Sequence, residues 1–307
     1  MLKKILLFNF ILCFYSINSQ TVSTITQGNF QDGLAIDSQG NVYGSDFFGP
    51  SRSVYKYDTN GNVTTFASGF VTPNGIGINS LDEIYVCDHF GNVIKKYDIN
   101  DTLLENYSNG LFSSPAGIQP IPNTLDMLVV EYNNTTGRKI KRLAADGTVT
   151  TLYTGAPLNG PAGITFIGEV PYIANFNDRK IFSFLDGTLT EIAQLPSIAS
   201  PTAGSLGFLT SGNNLLYATN LNENKIYSID PSTGQVTLLA GSSDGSLDGS
   251  ISSATFSGPN GILADNSNGR LYISDLSTSN LRIIDNAFLS TNEFEVNDFD
   301  LKIFPNP

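Results

Sequence analysis

Three polar side chains stand directly before a glycine in similar short motifs. Asp32 begins the motif DGL, whereas Asn74 and Asn260 each lie in a PNG motif. Carboxylate and carboxamide oxygens are ligands that Ca²⁺ prefers, and the ion takes roughly six to eight oxygens, some from water. We therefore predict a calcium or ordered-water site formed by Asp32, Asn74 and Asn260. The alternative is plain turn chemistry, because Asp and Asn are common beside glycine in turns.

A second set of polar residues ends six short apolar stretches. Asp88, for example, ends IYVCD, and Asp275 ends LYISD. Carboxylates gathered in one place repel each other, so they take up protons, accept hydrogen bonds or bind a cation. Asp and Asn side chains also cap turns by accepting backbone N–H groups, and we favour this second role. The set comprises Asp46, Asp88, Glu131, Asn175, Asn220 and Asp275.

Aromatic residues follow four of these stretches, whereas Leu221 and Leu276 follow the last two. Rings around an opening with a polar centre are the usual lining of a ligand pocket. The alternative is that each ring packs between neighbouring units of the fold. We predict a ligand site formed by Phe48, Asp88, His89, Phe90, Tyr132 and Phe176.

His89 is the one histidine of the chain. A catalytic triad needs a serine, a histidine and a carboxylate in one geometry, and no serine is singled out here. Zinc sites draw on several His or Cys side chains, which this chain lacks. We expect His89 in an exposed loop at the same opening, and we assign no catalytic residue.

The motifs recur with a period that predicts the architecture. Gly33, Gly75, Gly117 and Gly163 follow one another at intervals of 42, 42 and 46 residues. A complete copy contains four stretches in which Val, Ile, Thr and Tyr alternate with polar residues, and this alternation is typical of strands. A period of this length suits one four-stranded blade of a β-propeller. Six copies predict an all-β, six-bladed propeller.

The two ends of the repeat region predict how the ring closes. The sixth copy ends at Asp285 without a fourth strand, whereas TVSTITQG (residues 21–28) matches the fourth-strand pattern. We therefore expect the N-terminal strand to pair into the last blade. This pairing removes the open sheet edges that would otherwise promote aggregation.

The last copy, ATFSGPNGILADNSNGRLYISDLSTSNLRIID (residues 254–285), resembles an NHL repeat. The resemblance covers roughly residues 20–287, and it implies the propeller fold. NHL propellers have varied functions: many bind proteins or RNA, and relatives are hydrolases or lyases. The fold alone does not identify the activity.

The glycine motifs are also similar to those of the gluconolactonase/regucalcin-like family, which holds a divalent metal on the propeller axis. Asp32 stands where that family has the Glu of an EGP motif, and Asn74 resembles its NG asparagine. Ala116 and Ala162 depart from the pattern, and no PDG aspartate occurs in the later copies. The resemblance implies, as the alternative function, a calcium-dependent lactonase-type hydrolase whose cation polarises a carbonyl.

The leading prediction is a binding module for a protein, peptide or glycan at one face of the propeller. The net charge of −12 repels phosphate backbones and anionic lipid, which argues against nucleic acid and membrane partners. We expect a monomer.

Both ends of the chain indicate export. Residues 1–19 carry Lys3 and Lys4, then an apolar stretch, then small polar residues, as in a secretory signal peptide. The propeller is expected over residues 20–287. Residues 288–307 read as a linker followed by LKIFPNP, which resembles the start of the C-terminal sorting domain of type IX secretion. We therefore predict a secreted or cell-surface protein.

Overall fold

The computed structural model describes residues 19–133, 138–196 and 205–288. Its strands form six antiparallel sheets, which confirms the predicted all-β, six-bladed propeller. The first three blades contain β2 (Leu34–Ile36), β3 (Val42–Ser45), β4 (Val54–Tyr57), β5 (Val63–Ala67); β6 (Pro73–Ile78), β7 (Ile84–Asp88), β8 (Val93–Tyr97), β9 (Leu103–Tyr107); β10 (Pro115–Pro120), β11 (Met127–Glu131), β12 (Lys139–Leu143), β13 (Val149–Thr154).

In the fourth and fifth blades the strands again follow chain order from the axis outward. In the last blade three strands are followed outward by the N-terminal strand β1 (Thr21–Thr26) and then by a short fifth strand. The strands of these three blades are β14 (Pro161–Ile167), β15 (Val170–Asn175), β16 (Lys180–Leu185), β17 (Thr188–Gln194); β18 (Leu206–Gly212), β19 (Leu215–Asn220), β20 (Lys225–Ile229), β21 (Val236–Ala240); β22 (Gly249–Ser250), β23 (Pro259–Asp265), β24 (Arg270–Asp275), β25 (Leu281–Asp285).

The ring is closed by the N-terminal strand, as predicted. β1 pairs antiparallel with β25, and Val22 lies opposite Ile284. Val22 is buried in the core of the last blade. The innermost strands contact one another in turn from β2 to β23, and β23 contacts β2 again.

The connection into the last blade, residues 241–250, lies beside the closing strand. Its end forms β22, which adds a fifth strand to the last sheet by pairing with β1. Asp248 accepts a hydrogen bond from Thr24 at 2.9 Å. The loop therefore packs against the closing strand and covers its outer edge.

Glycine is required where neighbouring blades meet at the axis. A Cβ added to Gly75 would lie 2.1 Å from the backbone oxygen of Ala116, and one added to Gly117 would lie 2.1 Å from that of Ala162. Real Cβ atoms do not approach backbone oxygens so closely. The repeated glycines therefore allow the innermost strands to pack side by side.

The hydrophobic core lies between successive blades. In the cluster between the first two blades, Tyr43 and Phe66 pack edge to face at 5.0 Å, and Ile84 and Val86 come from the next sheet. Aromatic and β-branched side chains fill such wedge-shaped spaces well. This packing fixes the position of each innermost strand, and hence of the residues at the axis.

Two predicted segments, one at each end of the chain, lie mostly outside the described residues. The predicted signal peptide (1–19) falls almost wholly on residues 1–18, and most of the predicted linker and sorting segment falls on residues 289–307. Among the described residues the one helical element is a short 3₁₀ turn, Leu221–Glu223. None of the described helices has the length and apolar character needed to cross a membrane.

Candidate ligand site

A cavity of about 320 Å³ lies on the propeller axis, where the innermost strands begin and the second strands end. In most blades the pairing of these two strands is irregular at this point, and the resulting bulge turns one residue towards the axis. Each blade contributes one such residue to the cavity. They are Asp32, Asn74, Ala116, Ala162, Gly207 and Asn260.

The structure thus brings together the three predicted polar residues, which we call the polar trio: Asp32, Asn74 and Asn260. Asn260 Nδ2 donates a hydrogen bond of 2.9 Å to Asp32 Oδ1. Burial raises the pKa of Asp32 well above its usual value of 3.8, and the Asn260 hydrogen bond only partly offsets this. Asn74 is 8% exposed, and its Oδ1 atom is buried without a hydrogen-bond partner. The trio therefore contains one acceptor without a hydrogen-bond partner, Asn74 Oδ1, and one carboxyl group, that of Asp32, for which burial favours the neutral form.

This donor set fits a calcium ion poorly. Asn260 presents an N–H group to Asp32, and Ala116, Ala162 and Gly207 supply no side-chain oxygen. Since Ca²⁺ takes about six to eight oxygens, water would have to supply most of them. In the described ranges no three His, Cys, Asp or Glu side chains are grouped so that they could hold a metal. Calcium binding by the trio stays a prediction.

Aromatic side chains form the wall above this floor. The rings lie in a connected row: the centroids of Phe47 and His89 are 6.1 Å apart, those of His89 and Tyr132 5.7 Å, and those of Tyr132 and Phe176 6.1 Å. Phe90 lies 4.7 Å from His89. The rings line the cavity, and neighbouring rings of the row come from adjacent blades.

We call this row the aromatic crescent: Phe47, Phe48, His89, Phe90, Tyr132 and Phe176. Its outermost members are open to solvent, because Phe48 is 64% exposed and Phe90 is 60% exposed. Leu221 and Leu276 complete the wall on the side of the last two blades. Exposed rings next to a concave apolar surface mark a binding site more often than they mark ordinary surface.

His89 does not occupy the exposed loop position that we expected. It is 7% exposed, it lines the cavity, and its Nδ1 atom lies 3.3 Å from the backbone oxygen of Pro115. Burial lowers the pKa of His89 below its usual 6.5, against the opposing effects of Pro115 and Asp88. The imidazole is therefore neutral at neutral pH, and in this state it is an aromatic wall element with one ring N–H.

Asp88, which we included in the predicted ligand site, lies behind the wall. It is 2% exposed and does not line the cavity. Its carboxylate accepts backbone N–H groups from Val71 and Thr72, the latter at 2.7 Å. Glu131 likewise accepts the N–H of Ser113 at 2.8 Å. These carboxylates hold the loop that precedes the innermost strand of their blade, whereas the turn-capping role that we favoured would place their bonds in the turn that follows.

Phe208 is a cavity residue that sequence reasoning missed. The motif GSLGF suggests Gly204 as the axial residue of the fifth blade, and that residue lies outside the described ranges. The pairing of Leu206 with Asn220 instead puts Gly207 at the axis, with Phe208 in the next position. Spacing in the sequence does not locate it, because the interval from the axial residue to the polar residue that ends the second strand varies from 13 to 15 residues among the other blades.

No family model matches the chain. A gluconolactonase from Xanthomonas campestris has a similar structure, with a TM-score of 0.65 and 17% identity over 86% of this chain and 89% of that one. An auxiliary nutrient binding protein from Bacteroides thetaiotaomicron reaches a TM-score of 0.70 at 17% identity, covering 86% of this chain and 76% of that one.

A virginiamycin B lyase from Staphylococcus aureus has a TM-score of 0.62 and 18% identity, covering 87% of this chain and 99% of that one. The curated Protein SUPPRESSOR OF QUENCHING 1 of Arabidopsis thaliana is 40% identical over 81 residues, which are 26% of this chain and 8% of that protein. This chain thus spans a small part of the curated relative it matches. The similarities show a six-bladed propeller that resembles gluconolactonase-like structures, and they assign no activity.

Proposed function

We propose that this chain is an exported binding protein that holds an apolar group of its ligand in the axial cavity. The aromatic crescent is the observation that carries the proposal. It combines exposed rings at the rim with a floor that contains small side chains, so an apolar group gains contacts on several sides. Aromatic side chains supply most of the binding energy in many interfaces.

The size of the cavity limits what it accepts. About 320 Å³ accommodates a single ring system or one large side chain. A peptide or glycan, the partner class expected from the sequence, would place one such group inside and the remainder across the rim. The signal-like N-terminus and the LKIFPNP segment support placing this binding event outside the cytoplasm.

The test uses a fluorescent probe, because the chain contains no tryptophan. Naphthylmethanol can be excited apart from tyrosine, and its emission reports on transfer to an apolar site. We expect saturable binding that weakens by about tenfold or more in Phe90→Ala and Tyr132→Ala, since each removes a central ring. Leu103→Ala is the matched control, because Leu103 is half exposed on the outer strand β9, away from the cavity. An equal loss of naphthylmethanol affinity in all three variants would refute the proposal.

The second candidate is a calcium-dependent hydrolase of lactonase type. It is favoured by the likeness to a gluconolactonase and by the unpartnered Asn74 Oδ1 atom at the cavity wall. Asp32, Asn74 and Asn260 would hold the ion, which would supply Lewis acidity towards a carbonyl. The poor fit of the donor set places this function second.

Thermal melts with calcium and with EDTA separate the two candidates. A ligand that binds only the folded protein raises the melting temperature. The hydrolase requires a rise with calcium that is absent from the Asp32→Ala/Asn74→Ala variant. An unchanged melting temperature in calcium would exclude the calcium-dependent hydrolase as a function of this chain and would not contradict the binding function.

A further inference from the structure

Phe208 occupies a position at which every other blade has glycine. The strand pairings that align Leu206 with Asn220 and Leu209 with Ala218 repeat the pairings of Pro115 with Glu131 and of Ile118 with Val129. The residue two positions after Pro115 is Gly117, and Phe208 stands two positions after Leu206. The equivalent residues in the other blades are Gly33, Gly75, Gly117, Gly163 and Gly261.

Phe208 lies at the boundary of two spaces on the axis and packs against the core of the last two blades. It lines the ligand cavity, and it also lines a second, much smaller space of about 10 Å³ further along the axis. That smaller space is bounded by innermost strands, including Ile118, Ile164 and Ile262. Because Phe208 borders both spaces, it lies between them, at the bottom of the ligand cavity.

The floor of the cavity has two unlike halves. The polar trio comes from the sixth, first and second blades, which are neighbours after ring closure. Ala116, Ala162, Gly207 and Phe208 come from the third, fourth and fifth blades and offer apolar surface. A ligand with one polar head and one apolar body therefore fits in a single orientation.

The charged groups of the cavity restrict the ligand further. Among the described residues no Lys or Arg lines the cavity, so an anionic group would lose its hydration without gaining a counter-ion there. Asp32 supplies the one carboxyl group in the part of the lining that the structure describes, and Asn260 already occupies its Oδ1 atom. A cation would therefore have one carboxyl partner, Asp32, which already accepts a hydrogen bond from Asn260, and the other walls are aromatic or aliphatic.

We propose that Phe208 closes the channel and makes the cavity a single-ended site for an uncharged, flat apolar group that carries one polar head facing the polar trio. The inference rests on the proposed binding function and adds to it the chemical class of the bound group and the greatest length that the cavity accepts. Phe208 sets this length, because it bounds the end of the cavity that receives the apolar part of the ligand.

The charge of the group is tested with three probes on one ring system: naphthylmethanol, naphthoate and naphthylmethylammonium. We expect the neutral alcohol to bind about tenfold or more tightly than either charged probe, at constant pH and ionic strength. Tighter binding of the ammonium probe would overturn the uncharged class and assign Asp32 as a counter-ion.

The role of Phe208 is tested with a longer probe, biphenylmethanol. Phe208→Gly restores the residue of the other five blades, and Phe208→Leu keeps an apolar side chain across the channel. We expect Phe208→Gly to bind the longer probe about tenfold more tightly than the unmodified protein does, and Phe208→Leu to change this affinity little. Circular dichroism melts verify that both variants are folded. Should Phe208→Gly be unfolded, Phe208→Ala takes its place in the same comparison.

The outcomes distinguish the two proposals. If naphthylmethanol binds and Phe208→Gly leaves the preference for the shorter probe unchanged, the role of Phe208 is wrong while the binding function stands. If none of the probes binds the unmodified protein, the cavity is not an apolar binding site and both proposals fail.

Discussion

Asn260 donates its side-chain N–H to Asp32 across the seam at which the propeller closes. The two residues are separated by 228 positions in the sequence, yet their side-chain atoms are 2.9 Å apart. Asn260 lies in β23 of the last blade, and Asp32 directly precedes the first blade. The bond therefore joins the first and last blades at the axis, whereas β1 joins them at the periphery.

The first prediction concerns this bond. Asn260→Ala leaves the buried Asp32 carboxyl group without its donor, so we expect a loss of about 1–3 kcal/mol in the free energy of unfolding. Asp32→Asn keeps an oxygen that can accept the bond and should cost less. The coupling is measured by urea denaturation of Asn260→Ala, of Asp32→Ala, which removes the acceptor, and of the double variant that combines these two changes. A double variant whose loss equals the sum of the two single losses would contradict a direct interaction.

The second prediction concerns the buried ion pair of the last blade. Arg282 and Asp275 have fully buried side chains, 3.1 Å apart, and Arg282 also bonds the backbone oxygen of Thr255. Arg282→Met removes the charge that compensates Asp275, and such changes cost about 3–5 kcal/mol. We expect a fall of this size in the free energy of unfolding near neutral pH. Lys180→Met, at an exposed ion pair, is the control and should change the stability little.

The same ion pair predicts a dependence on pH. Burial raises the pKa of Asp275 to about 6, although Arg282 acts in the opposite direction. In Arg282→Met the buried carboxylate becomes protonated as the pH falls, and the uncompensated charge disappears. The loss of stability should therefore be smaller at about pH 5 than at about pH 8. An equal loss at both values would indicate that packing, and not charge, is the main contribution of Arg282.

The sequence predicts the features that repeat and misses those that break the repeat. The closing strand β1 is recognisable because its alternation of Thr with apolar residues matches that of the outer strands. The polar trio is recognisable because each member precedes a glycine in register with the others. Phe208 was missed because GSLGF contains two glycines, and only the pairing of Leu206 with Asn220 decides which of them lies at the axis.

The environment of a side chain is harder to predict than its position. His89 follows a strand end, where loops are usually exposed, yet Phe47, Phe90 and Tyr132 from three loops surround its ring. That burial depends on contacts between blades that lie some 40 residues apart in the chain, which local pattern does not encode. For the same reason, the sequence left open whether the rings face the cavity or the blade interfaces.

The third prediction separates the two roles of Tyr132. Its ring lies in the aromatic crescent, and its hydroxyl group donates a hydrogen bond of 2.9 Å to Asn177 Oδ1. Tyr132→Phe keeps the ring and removes the bond, so we expect a loss of about 0.5–1.5 kcal/mol in the free energy of unfolding. Naphthylmethanol affinity should stay close to that of the unmodified protein. A loss of affinity as large as in Tyr132→Ala would assign the hydroxyl group, and not the ring, to binding.

The fourth prediction uses the single histidine of the chain, which gives one set of imidazole resonances in an NMR titration. Burial in the cavity wall lowers the pKa of His89, so its titration midpoint should lie below 6.5. In the unfolded chain the imidazole takes up a proton near its ordinary pKa, whereas the folded protein resists protonation. The stability that the neutral His89 contributes is therefore complete above about pH 6.5 and is lost as the pH falls towards the folded-state pKa.

The control for this titration is His89→Phe, which keeps a ring in the wall and cannot be protonated. Melting temperatures of the two proteins should converge at neutral pH and separate below it, with the unmodified protein falling further. Naphthylmethanol bound against the ring should lower the pKa of His89 again, since the ligand excludes water from the imidazole. A midpoint at or above 6.5 that the probe does not move would place His89 in solvent and remove it from the aromatic crescent.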